Sequence, residues 1–159
     1  MHTVTDTQGR VWTLHVTVDT IKRVRALTGT DLLAVAGGDL LERLSTDPIL
    51  LADVLFAVVK PEADTRQVSD ADFGRALAGD VIAVATSALL EELVDFFPAP
   101  KRALLAKALG KLTEFQSAML AAASARVDAL DATSLVDQAL IPGTSSGASP
   151  ASSAATPAV

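Results

Sequence analysis

Two histidines, nineteen carboxylate side chains and no cysteine set the chemistry open to this chain of 159 residues. Without cysteine there is no thiolate nucleophile, no disulfide and no sulfur-ligated metal, a composition compatible with a reducing cytosol. His2 and His15 both lie near the start, and neither stands beside a Ser-His-Asp or metal-ligand spacing. The carboxylates are dispersed. "SDAD" (Ser69–Asp72) and "DTQGR" (Asp6–Arg10) superficially resemble acidic metal loops, but neither offers the alternating ligands of a calcium-binding hand. Helix capping accounts for the first and a hairpin turn for the second. "TQGR" and "AVAGGDL" lack the lysine or following-helix spacing of a phosphate cradle. No cofactor and no metal are expected, and the chain reads as non-enzymatic.

Two charged stretches remain. In "IKRVR" (Ile21–Arg25), Lys22 and Arg25 share one helical side opposite Ile21, Val24 and Leu27, an ordinary solvated face. "LLEELVDFFPAPKRALLAKAL" (Leu89–Leu109) is more informative. Pro98 cannot continue a helix, and Pro100 suits the first turn of another. Glu91, Glu92 and Asp95 approach the negative end of the first helix, while Lys101 and Arg102 sit at the positive start of the second. Each exposed charge is opposed by its own helix dipole by about 0.3–1 kcal/mol. A reversal at Pro-Ala-Pro lays the acidic end beside the basic start, so that each offsets the other. The corner is then either a turn closed by Phe96 and Phe97 or a surface with one ring left for a partner. Phe96, Phe97, Lys101 and Arg102 are therefore the candidate partner-binding residues. On the second reading, Phe97→Ala weakens binding more than folding.

The charge balance is 13 basic to 19 acidic residues, a net −6, which repels phosphate backbones and anionic lipid. Neither nucleic acid nor membrane is an expected partner. "ILLADVLFAVV" and "VIAVATSALL" fall short of the ~20 apolar residues that span a bilayer, so they read as buried helices. "MHTVTDTQGR" has no apolar core of a secretory signal.

The elements that position these residues follow from periodicity. "HTVTD" and "VWTLHVTV" alternate around "TQG" and predict a β-hairpin, with Trp12, Leu14 and Val16 on one face and Val11, Thr13, His15 and Thr17 on the other. A lone hairpin is marginal, so the Trp12 face is expected to pack on the helices that follow. Asp19 is expected to cap a helix ending at Gly29. Asp39 with Glu42 starts another, and Asp47-Pro48 opens a third that should stop near Lys60, before Pro61. "PEADTRQV" reads as a loop. Ser69 caps a short helix, Gly79-Asp80 starts one reaching Phe97, and Pro100 begins the longest, to about Ala125. Leu105, Leu109, Leu112, Met119 and Ala123 mark its apolar seam, widened by Ala108, Phe115 and Ala122. The fold class is mainly α: an N-terminal β-hairpin on a multi-helix bundle over residues 1–140. The uncharged Pro/Ser/Ala-rich stretch 141–159 is expected to be a disordered tail.

The order "DTQGRVWTLHVTVDTIKRVRALTGTDLL", "LSTDPILLADVLFAVVKPEAD", "VSDADFGRALAGD" and "ALLEELVDFFP…KRALLAKAL" resembles small proteins from the tail-gene clusters of phages and prophages, described as tail assembly chaperones. The similarity spans about Thr3 to Ala125 and is collinear rather than catalytic. It implies a non-enzymatic role in the host bacterial cytoplasm. The implied partner is the tape-measure protein, around which tail tube protein gathers. It also implies a longer form made by ribosomal frameshifting, for which the stretch from Pro142 would serve as a linker. The alternative expectation is a structural minor tail or connector component retained in the virion.

Overall fold

The structure, a computed structural model, describes residues 1–37 and 39–129. The expected tail over 141–159, and its boundary with the domain, lie outside the described residues. The chain divides into two units, Met1–Ser117 and Ala118–Val159.

In the first unit, strands β1 (His2–Thr5) and β2 (Val11–Leu14) pair antiparallel, with Val4 opposite Trp12. Gly9 takes the left-handed conformation that the turn requires, at φ 77°. Asp6 holds this turn from inside. One carboxylate oxygen accepts from the backbone N–H groups of Gln8 and Arg10, at 2.9 and 3.0 Å. The other accepts from Arg10 Nε at 2.6 Å and Trp12 Nε1 at 2.9 Å. The expected division of faces holds for Trp12, Leu14 and Val16, buried, and Val11, Thr13 and His15, exposed, but β2 ends at Leu14 and Thr17, expected outside, is half-buried.

Helix α1 (Val18–Thr28) is capped by Thr17, not by Asp19 as the sequence led us to expect. Thr17 is extended and its hydroxyl accepts from the Thr20 N–H at 3.2 Å, which moves Asp19 into the first turn. There its charge favours the helix dipole, and it pairs with Arg23. The buried side runs through Thr20, Ile21 and Val24, leaving Leu27 56 % exposed rather than on the apolar face. A 3₁₀ segment (Leu32–Gly37) and α2 (Asp39–Thr46) lead to α3 (Pro48–Thr65), capped by Asp47 as its Asp-Pro signature predicts.

Helix α3 does not stop before Pro61. It continues to Thr65, so much of the expected loop is helical. Proline lacks the N–H that would bond the Ala57 carbonyl four residues earlier, a cost that normally breaks a helix. Here Arg23 replaces the missing donor. Its Nε donates to Ala57 O at 2.7 Å and its Nη2 to Val58 O at 3.0 Å. Arg23→Ala should therefore lower the free energy of unfolding by about 2 kcal/mol in urea titrations. In a Pro61→Ala background, where residue 61 regains its donor, the loss should be smaller. Equal losses in both backgrounds would show that Arg23 does not compensate for the proline.

Helix α4 (Asp70–Ala76) is capped by Ser69, and α5 (Asp80–Asp95) begins after Gly79. The hairpin packs on these helices, as expected. β1 lies along α5, α1 lies along α3, and the Trp12 ring meets Phe73 edge-on at 5.3 Å. Helix α6 (Ala99–Asp128) is the longest, but its predicted seam is not a buried one. Leu105 is buried and Leu109 and Leu112 are half-buried, whereas Phe115 and Met119 are 62 % and 58 % exposed. Ala108, Ala122 and Ala123 are exposed too. Periodicity states which side chains share a side of a helix. Whether another element lies against that side is a separate matter.

Candidate partner-binding site

The four residues singled out at the Phe-Phe-Pro corner are brought together. Helix α5 ends at Asp95 rather than at Phe97, with Phe96 still in helical conformation as its C-cap. The two rings meet edge-to-face, 5.2 Å apart and inclined by 78°. Phe97 is 5 % exposed and belongs to the core, and Phe96 is half-buried. The expectation that Phe97→Ala acts mainly on binding is therefore replaced by a core role. Lys101 lies 4.0 Å from the centroid of the Phe97 ring, a cation–π contact. Arg102 donates from Nε to the Phe97 carbonyl at 3.1 Å.

None of the ion pairs among the described residues joins Glu91, Glu92 or Asp95 to Lys101 or Arg102. Both cations are used on Phe97, and Glu92 turns inward. One Glu92 oxygen accepts from the Val16 N–H at 3.2 Å, and the other meets His2 Nδ1 at 2.9 Å and the Met1 amino group at 2.8 Å. His2 Nε2 also approaches Glu91, at 3.1 Å. The cluster ties the hairpin to α5. It joins positions ninety apart in the chain, for which the sequence carries no local signal.

Burial alone would raise the carboxyls of Glu92 and Asp6. For Glu92 the opposing hydrogen bonds come from the Met1 amino group, His2 and the Val16 N–H. For Asp6 they come from Trp12, Arg10 and the Gln8 N–H. In both residues the bonds prevail, and the carboxyl lies below its ordinary value. A folded-state pKa held below the unfolded one stabilises the protein above the unfolded pKa, and this contribution is lost as pH falls through the folded one. Stability should thus be level from neutral pH to about pH 5 and fall below about pH 4. Denaturant titrations across this range should show a shallower acid fall in the double variant Asp6→Asn, Glu92→Gln. An unchanged fall would assign it to other carboxylates.

Beside this cluster lies a groove of about 1280 Å³ between α5 and the first half of α6. Its room comes from small side chains: Ala83, Thr86 and Ser87 on α5, and Ala106, Gly110 and Thr113 on α6. Ile82, Leu90, Val94, Leu109 and Leu112 supply its apolar lining, and Glu91, Asp95 and Glu114 its charge. Of the four residues singled out at the corner, none lines it. Such a surface can hold an elongated apolar segment. Among the described residues no group of three or more His, Asp or Glu side chains is arranged to hold a metal ion. No helix among them is long and apolar enough to cross a membrane. Comparison with protein-family models, curated proteins and solved structures gives no match.

Proposed function

We propose that this chain is a non-enzymatic binding protein that holds a partner helix, and that it acts as a phage tail assembly chaperone on the tape-measure protein in the host cytoplasm. The groove between α5 and α6 carries the first half of this reading. It is lined by apolar and small side chains together with the carboxylates of Glu91, Asp95 and Glu114. Laying an amphipathic helix into such a groove is an established mode of recognition. The resemblance of the Asp-Pro helix, the Phe-Gly-Arg segment and the Phe-Phe-Pro corner to tail assembly chaperones supports the second half.

The test is co-expression with the tape-measure protein of the same tail-gene cluster. Its soluble yield should rise several-fold, and the two should co-purify. No rescue and no co-purification, with the chain recovered instead in purified particles, would replace this reading by that of a minor tail or connector component.

A further inference from the structure

We infer that the occupant of the α5–α6 groove is a basic amphipathic helix, an inference that rests on the reading of the chain as a holder of a partner helix. Size is the first argument. About three turns of α-helix, each ~5.4 Å long and ~10 Å across, fill a volume of the order of the groove's 1280 Å³. Chemistry is the second. Ile82, Leu109 and Leu112, each half-buried on the groove wall, offer apolar contacts to side chains spaced i, i+3, i+4 and i+7 on such a helix.

Charge then selects among apolar-faced helices. Glu91, Asp95 and Glu114 line the groove, and among the described residues no Lys or Arg does. Glu91 meets only the His2 ring, while Asp95 and Glu114 take part in none of the ion pairs among the described residues. A helix flanking its apolar stripe with Lys or Arg would satisfy these carboxylates, and one carrying Glu would be repelled, as would any anionic surface.

Gly110 provides a clean probe. A Cβ built there meets nothing within 4 Å, so a side chain can start from this position into the groove that Gly110 lines. Any non-proline residue also suits a helix interior better than glycine. Gly110→Phe should leave the helical signal intact and the melting temperature equal or higher, while filling the binding space.

The experiment uses the full chain and labelled helical peptides of about five turns, followed by fluorescence anisotropy at about 0.05 and 0.2 M salt. A Leu/Lys amphipathic peptide should bind at least about tenfold more tightly than its Leu/Glu counterpart or a Leu/Lys peptide scrambled to lose its apolar face. Gly110→Phe should weaken it by about tenfold or more, and the triple variant Glu91→Gln, Asp95→Asn, Glu114→Gln should weaken it and flatten its salt dependence. Equal binding of the Leu/Lys and Leu/Glu peptides, or undiminished binding by Gly110→Phe, overturns the proposal. So does a concentration-dependent dimer that Gly110→Phe dissociates, which would make a second copy the occupant. If the tape-measure protein is rescued equally by Gly110→Phe, the groove assignment fails and the chaperone reading stands. If the basic peptide occupies the groove but the tape-measure protein stays insoluble, the groove stands and that reading fails.

Discussion

Phe97→Ala should lower the free energy of unfolding by about 3–5 kcal/mol, the range for truncating a buried phenylalanine. The ring is 5 % exposed, lies edge-to-face with Phe96, and has Lys101 over its face. Truncation removes all of these contacts and leaves a void at a corner whose backbone is stiffened by Pro98 and Pro100. Phe97→Leu should cost less, because it refills most of the volume. Phe96→Ala, at a half-buried position, should cost clearly less than Phe97→Ala. Urea unfolding of the three variants decides the matter. A loss below about 1 kcal/mol for Phe97→Ala would return this ring to the surface and restore the corner as a binding site.

Asp6→Ala should cost about 3 kcal/mol. Its carboxylate is fully buried, and four donors converge on it: two backbone N–H groups of the turn, Arg10 Nε and the buried Trp12 Nε1. Without it the indole N–H loses its acceptor in a place water does not reach, and the turn loses its internal brace. Asp6→Asn retains an oxygen for part of this set and should cost roughly half as much. Trp12 is the only tryptophan, so its emission reports directly on this turn. An unshifted emission maximum together with unchanged stability would show that the carboxylate is dispensable.

The local fold was legible wherever neighbouring residues supply the whole cause. Alternation placed Trp12 and Leu14 on the inner face of β2, with Val16 buried just beyond its end. Asp47-Pro48 and Ser69 announced the starts of α3 and α4, where a side-chain oxygen and one or two backbone N–H groups suffice. Helix extent was less legible. Proline at position 61 should end α3, and does not, because Arg23 on another helix supplies the donor that proline lacks. Leu27 and Phe115 lie on the sides periodicity assigns to burial, yet both are exposed and no described element covers them.

The site was only partly legible. The corner residues Phe96, Phe97, Lys101 and Arg102 do meet, because a short turn keeps them within reach. Lys101 and Arg102 contact a ring face and a backbone carbonyl, partners that charge alone does not announce. The groove was not visible at all. Its lining comes from two helices and mixes Ala, Thr and Gly with scattered carboxylates, none unusual in its own segment.

By itself, then, the sequence determined what short-range forces decide: the hairpin, the helix starts, the apolar faces and the absence of thiol chemistry. Only the tertiary structure decided which apolar faces are covered, which carboxylates are buried, and where room remains between α5 and α6. Those outcomes depend on contacts between residues tens of positions apart, such as His2 with Glu92 and Arg23 with Ala57. Such contacts follow from how helices settle against one another, and no local pattern encodes that.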